Sequence, residues 1–228
     1  MATHLRTGMS AGDAADLCDE LAGGLEADEA TASLAGIWNS LAERGEAVSR
    51  AHRNATRATA RARAREKVID ARWGRHDSAF GRALLDAASG KRENAPYSLF
   101  YGATPPSAIN AYGVDRQVET GRTFLRLLAA DSGAALRAAW AAGWEAVNEA
   151  LATASRAKKD ATLAEAPQSV AEALYVDDVN KELDRLEGDL LKLFPGERAT
   201  VDAFLAPTRT VVHKKKAAPS DGPHPAAE

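Results

Sequence analysis

Cysteine is almost absent from the sequence, in which Cys18 is the only one among 228 residues. A single cysteine cannot form an internal disulfide, so nothing here argues for a secreted, disulfide-stabilised fold. Residues 1–13 lack the apolar centre that a signal peptide needs. The apolar run near the tryptophans, residues 138–144, is far too short to cross a bilayer. We therefore expect a cytoplasmic protein without a membrane span.

Aromatic residues are also scarce, at 6% of the chain, and no run of alternating β-branched residues is present. Strands are recognised by such alternation, so a sheet is not expected. Alanine supplies much of the 45% hydrophobic content, and alanine is the strongest helix former. No proline occurs between residues 28 and 88. The sequence therefore predicts an all-α protein, and arginine outnumbering lysine twenty to nine favours a bacterial source.

The proline-free stretch carries one heptad-spaced series, which we call the seam. Its members follow one another by four and three residues alternately: Leu34, Trp38, Leu41, Gly45, Val48, His52, Ala55, Thr59, Ala62, Glu66, Ile69, Trp73, His76 and Phe80. This spacing predicts one long, coiled-coil-like helix over residues 28–88 with the seam facing a partner. The ends of the seam are bulky and its middle is small or polar, so the ends should contribute most of the stability.

A second long helical stretch is predicted over residues 131–194. Pro167 lies inside it, and a proline cannot occupy a helix interior without a kink, so we expect it to break the helix or begin a new one. Val170 and Leu174 count with the apolar side of this amphipathic stretch. If the two long stretches run antiparallel, the acidic segment 165–190 faces the acidic segment 28–49, so a parallel or more folded arrangement also stays open.

Weak internal similarity relates the two halves of the chain. Leu34 and Trp38 match Leu136 and Trp140 at an offset of 102 residues, and Gly90 matches Gly196 at 106. Ser10, with Asp13 three residues later, predicts the start of a short helix before the first long one. We therefore predict an elongated helical bundle, a single all-α domain over 1–206, built from two tandem repeats at about 10–104 and 105–206. Each repeat is a short helix plus a long helical stretch. Residues 207–228 are predicted to be disordered.

Charge is distributed unevenly, although the net charge is only −3. Residues 1–49 contain nine acids and two bases, or −7, whereas residues 50–75 contain nine bases and two acids, or +7. Seven arginines of the basic segment fall within about 120° of the helix circumference, because each residue advances by about 100°. We call this set the arginine ridge: Arg50, Arg53, Arg57, Arg61, Arg65, Arg72 and Arg75.

Catalytic and metal-binding patterns are missing from the sequence. His52 and Glu66 share a face, but a rise of about 1.5 Å per residue separates them by about 21 Å, too far to share an ion. The seam histidines are therefore expected to have local structural partners. Ser89-Gly90-Lys91 lacks the serine or threonine and the preceding strand of a phosphate-binding loop. Cys18 lies among acids that disfavour its thiolate. We expect no enzyme, no metal site and no cofactor.

Two functions remain. The first is a non-enzymatic helical scaffold or interaction protein that associates with itself or with a protein partner. The alternative is binding of nucleic acid or another polyanion through the arginine ridge, with an affinity that falls as salt rises. No aromatic residue lies between Arg50 and Arg72 to stack on bases, and the net charge is negative, so nucleic acid is the less favoured partner.

Overall fold

The computed structural model describes residues 4–6, 8–130 and 134–208, and it confirms the all-α prediction, since this part of the chain contains no strand. The helices in chain order are α1 (Ala11–Glu26), α2 (Ala32–Ala87), α3 (Tyr97–Tyr101), α4 (Pro106–Ile109), α5 (Val114–Ala129), α6 (Ala134–Leu193) and α7 (Arg198–Phe204). Across these residues, no helix combines the length and the apolar character needed to cross a membrane.

The chain divides into two compact units, and both divisions fall inside a long helix. Unit 1 contains residues 1–54 and 166–228, and unit 2 contains residues 55–165. Each unit therefore takes one segment of α2 and one of α6. The two tandem repeats at about 10–104 and 105–206 remain a prediction, but each of these ranges contributes to both units. The reason is that a helix of 56 residues packs against different neighbours along its length.

Unit 1 is formed by α1, α7, the first segment of α2 and the last segment of α6. Ser10 is the N-cap of α1, as predicted, and its hydroxyl accepts from the Asp13 amide at 3.1 Å. The α2 and α6 segments run antiparallel here, because Arg44 pairs with Asp178 and the later His52 pairs with the earlier Glu172. Arg44, which belongs to the acidic α2 segment, meets an acid of α6, and this ion pair offsets part of the expected repulsion between the two acidic segments.

The core of unit 1 is mainly aliphatic and is built on the apolar faces of α1, α2 and α6. Its largest fully buried members include Leu17, Leu21, Leu25, Tyr175 and Leu183. Gly45, in the middle of the seam, lets α2 approach α6. A Cβ atom at that position would lie 2.3 Å from the Tyr175 hydroxyl oxygen and 2.8 Å from the Cβ of Ala15, closer than side chains tolerate.

Unit 2 is formed by α3, α4, α5 and the remaining segments of α2 and α6. The α2 and α6 segments run antiparallel here too: Thr59 donates to the Ala161 carbonyl at 3.2 Å, and Glu66 meets Lys158 at 2.6 Å. The core is aromatic, with edge-to-face and tilted ring contacts. Its buried rings are those of Trp73, Phe80, Tyr97, Phe100, Tyr101, Phe124 and Trp144.

All fourteen seam positions, from Leu34 to Phe80, are buried or half-buried. The heptad series therefore identified the face of α2 that the protein covers, although coiled-coil packing itself remains a prediction. The tryptophans of the seam lie in different cores, with Trp38 in that of unit 1 and Trp73 in that of unit 2.

The break expected at Pro167 is wrong, because α6 continues through this proline to Leu193. A proline at this position removes the amide that would bond the Leu163 carbonyl. Leu163 is exposed, so water can satisfy that carbonyl instead. The disorder predicted for residues 207–228 remains a prediction; of these residues, the structure describes 207 and 208, and the buried Thr208 donates its hydroxyl to the Leu205 carbonyl at 2.7 Å. The rest of that tail, 209–228, lies outside the described residues.

Candidate functional site

The seven residues of the arginine ridge are all solvent-exposed. Arg50 and Arg53 belong to unit 1, where Arg50 lies 3.8 Å from Glu46 and Arg53 donates to the Ser49 carbonyl at 3.4 Å. The other five belong to unit 2: Arg57, Arg61, Arg65, Arg72 and Arg75. The ridge is therefore not one uniform surface, because its first two members have local partners in unit 1.

The five arginines of unit 2 have no carboxylate within ion-pair distance among the residues that the structure describes. The nearest acid in sequence on the opposite side of α2, Glu66, is buried and is engaged by Lys158. The guanidinium groups of this surface are therefore directed to solvent without internal compensation. Such a surface attracts anions, and salt screens the attraction.

The histidines that the structure describes contact carboxylates or aromatic rings of the protein. The imidazole of His4 lies 2.7 Å from Asp184, and His52 pairs with Glu172, whose other oxygen accepts from the Ala11 amide at 2.8 Å. The ring of His76 lies against Trp140 and Trp144, and burial lowers its pKa below the ordinary value. Within residues 4–6, 8–130 and 134–208, no cluster of three His, Cys, Asp or Glu side chains could hold a metal ion. His213 and His224 lie outside these residues.

Cys18 is fully buried in the core of unit 1, and its sulfur lies 3.7 Å from the Tyr175 hydroxyl. Burial raises the pKa of the thiol to about 11, and the charge of Asp19 adds to the effect. The thiolate is thus disfavoured, as the sequence indicated, but the main cause is burial rather than the acidic neighbours. Tyr175 donates to the Leu41 carbonyl at 2.9 Å, so this pair joins α1, α2 and α6.

A buried acid, Asp77, is the most perturbed carboxyl group of unit 2. It is 0% exposed, and burial raises its pKa to about 6, while the hydrogen bond from Tyr101 acts in the opposite direction. The Tyr101 hydroxyl donates to Asp77 Oδ1 at 2.7 Å, but Asp77 Oδ2 has no hydrogen-bond partner. Neither the seam nor the arginine ridge points to this residue, because its environment is created by α3, some twenty residues further along the chain.

An apolar surface on α6 was also missed. Val170 is 59% exposed and Leu174 is 56% exposed, so the expectation that both belong to the buried side of the helix is wrong. Ala166, Pro167 and Ala173 beside them are exposed as well. We call these five residues the α6 apolar face. The buried side of the same segment is formed instead by Tyr175, Val176 and Val179, which a finer reading of the helical period would have separated from Val170 and Leu174.

Comparison with known proteins adds no functional information: no protein-family model matches the chain, and neither the curated proteins nor the solved structures give a match.

Proposed function

We propose that this chain is a non-enzymatic helical interaction protein that associates with a second copy of itself through the α6 apolar face of unit 1. The observation that supports the proposal is the exposure of Val170 and Leu174 beside the exposed Ala166, Pro167 and Ala173, a surface that ends at the exposed Asp177 one turn further along α6. Large exposed apolar side chains that lie together mark surfaces that another molecule covers.

The helical positions support this choice. At about 100° per residue, the five residues of the α6 apolar face lie within about 120° of the circumference, opposite the buried Tyr175 and Val179. This segment of α6 therefore has two apolar sides, one buried within unit 1 and one open to solvent. A face of this kind can pack against its own copy about a two-fold axis, since the same patch then serves both partners.

Light scattering on the full chain at several concentrations tests the proposal. The parent is expected to have a dimer's mass at high concentration, and the double substitution Val170→Glu, Leu174→Glu should weaken dimerisation by more than about tenfold. Ser169→Glu is the matched control, because Ser169 is exposed on the same helical turn but lies outside the apolar face. A parent that stays monomeric at every concentration, or a double variant that dimerises like the parent, overturns the proposal.

A second candidate function is polyanion binding by the five ridge arginines of unit 2. It is supported by their exposure without a neighbouring carboxylate in the described residues. Phosphate contacts release counterions, so the affinity should fall steeply as the salt concentration rises.

Gel-shift titrations with double-stranded DNA in rising salt distinguish this candidate from self-association. The substitutions Arg57→Glu and Arg61→Glu should abolish the shift at salt concentrations at which the parent binds. Arg126→Glu, an exposed arginine of α5 outside the ridge, should leave binding unchanged. Equal binding by the parent and the ridge variants would exclude the ridge as the site.

A further inference from the structure

A groove of about 590 Å³ lies in unit 1 between α1 and α7. Its α7 side is mainly apolar, and the apolar residues there are exposed or half-buried: Ala199, Ala203, Phe204 and Pro207. Its α1 side is open, because a Cβ atom at the exposed Gly24 would meet nothing within 4 Å. The groove is therefore accessible from solvent and has room for the side chains of another segment.

Two carboxylates lie at the α1 side of the groove. Glu20 is exposed and Asp28 is half-buried. Among the residues that the structure describes, no cationic side chain lies within ion-pair distance of either carboxylate. The helix α1 adds to this negative charge, since it contains five acids and no base. An apolar surface beside uncompensated carboxylates suits an occupant that offers both apolar and cationic side chains.

The chain itself supplies a segment of this composition next to the groove. Pro207 lines the groove, and twenty residues follow Thr208. The first eight of them, residues 209–216, contain one arginine, one histidine and three lysines but no acid, and we call them the basic segment. Val211 and Val212, in the middle of the basic segment, are the only bulky apolar residues among the twenty.

The basic segment is close enough in sequence to reach the groove. An extended chain spans up to about 3.5 Å per residue, so the four residues from Pro207 to Val211 reach about 14 Å at most. Glu20 and Gly24 are one helical turn apart, or about 6 Å along α1. Because this linker is short, the effective concentration of the segment at the groove is high, which favours binding within one chain over binding to a second copy.

We propose that the groove between α1 and α7 binds the basic segment of the same chain. Val211 and Val212 lie against Phe204 and the α7 alanines, and the lysines lie beside Glu20 and Asp28. Burial of the valines stabilises the contact, and the opposite charges select this segment over the acidic parts of the chain. A segment predicted to be disordered by itself can become ordered in this way when a surface covers its apolar residues. The groove shares no residue with the α6 apolar face.

Limited trypsin digestion of the full chain tests the proposal, because trypsin cleaves after lysine and docking protects Lys214, Lys215 and Lys216. Gly24→Leu fills the groove and should speed cleavage at these lysines by about fivefold or more, since cleavage follows the population of the open form. Gly23→Leu is the matched control, because a Cβ atom there also meets nothing within 4 Å but Gly23 does not line the groove. Equal cleavage rates in the two leucine variants overturn the proposal.

A charge variant and cross-linking complete the test. Glu20→Gln should also speed cleavage, and added salt should reduce its difference from the parent. Asp19→Asn should be cleaved like the parent, because Asp19 is an exposed acid of α1 that does not line the groove. Carbodiimide coupling of carboxylates to amines, applied to a dilute mixture of isotope-labelled and unlabelled chains, should join Glu20 to lysines of the basic segment within one chain. Such cross-links found only between labelled and unlabelled chains would show that a second copy occupies the groove and would overturn docking within one chain.

Discussion

The two units differ in the residue types of their cores and in how their buried polar groups are paired. In unit 1 the core is aliphatic, and its buried polar groups are paired: Thr31 donates to the Leu25 carbonyl at 2.7 Å, and Tyr175 donates to the Leu41 carbonyl at 2.9 Å. In unit 2 the core is aromatic, and buried polar atoms are left without partners. Within the described residues all of these unpaired atoms belong to unit 2: His76 Nε2, Asp77 Oδ2, Asn110 Oδ1, Gln117 Oε1 and Trp144 Nε1.

This difference affects the stability of the two units. A buried polar atom without a partner costs about 1–3 kcal/mol, so unit 2 gives up stability that unit 1 retains. In unit 1, where the buried polar groups are paired, the proposed interaction surface lies on the outside of α6.

The comparison predicts that a substitution in one core destabilises mainly the unit to which that core belongs. Trp144→Ala removes a fully buried ring from unit 2 and should cost about 3–5 kcal/mol, and Leu183→Ala in unit 1 should cost about 2–5 kcal/mol. Chemical denaturation measures the size of each loss. Amide hydrogen exchange should show the loss of protection mainly in the unit that carries the substitution. The same exchange pattern in both variants would contradict a division into two units.

The buried carboxyl of Asp77 predicts a pH-dependent stability for unit 2. Its pKa is raised from 3.8 to about 6, so the unfolded chain releases this proton first and the folded state loses stability as the pH rises from about 4 to about 6. The full loss is about 3 kcal/mol at most, since one unit corresponds to about 1.4 kcal/mol.

Denaturation of the parent and of Asp77→Asn across this pH range measures the effect. The stability of the parent relative to the variant should fall up to about pH 6 and then level off. The change is opposite in sign to that of His76, whose lowered pKa makes the fold less stable as the pH falls, and the subtraction removes the His76 contribution. A difference that is independent of pH would show that Asp77 is not the titrating group.

The close approach of Tyr175 to Gly45 predicts a smaller loss of stability when a residue of unit 1 is substituted. Gly45→Ala places a methyl group against the Tyr175 hydroxyl and should lower the free energy of unfolding by about 1–3 kcal/mol. Gly36→Ala is the matched control, because a Cβ atom at that α2 position meets nothing within 4 Å. That control should gain up to about 1 kcal/mol from helix propensity. Thermal unfolding of both variants checks the pair, and equal shifts would contradict the close packing.

The smallest effect concerns the half-buried acid Asp178 in unit 1. The hydrogen bond from Arg44 lowers its pKa, so its contribution is present above the unfolded value of 3.8 and is lost as the pH falls through the lowered folded value. Asp178→Asn should cost no more than about 1 kcal/mol near neutral pH, because the pair is solvent-screened. Denaturation in low and high salt tests this, since added salt should reduce the difference from the parent.

Much of the local structure was predictable from the sequence. Ser10 identified the start of α1, because an N-cap hydroxyl bonds an amide only three residues later and therefore depends on the local sequence alone. The seam identified the covered face of α2, because burial repeats with the period of the helix. Pro167 misled the prediction, since the cost of a proline in a helix depends on whether the carbonyl it leaves unpaired can reach water.

The candidate sites were harder to predict from the sequence. The arginine ridge could be found because all of its members lie on one helix. The α6 apolar face was misassigned because Val170 and Leu174 differ from the buried residues only in the angle at which they project from the helix.

By itself, the sequence determined the helical class, the positions of the long helices and the side of α2 that is covered, because alanine content and apolar periodicity act within one segment. Only the tertiary structure decided what covers each side, how the chain divides into two units, and which polar atoms remain unpaired. Those outcomes depend on contacts between residues far apart in sequence, such as Tyr101 with Asp77 and Tyr175 with Leu41. Helical periodicity specifies that a face is buried, but it does not specify the partner.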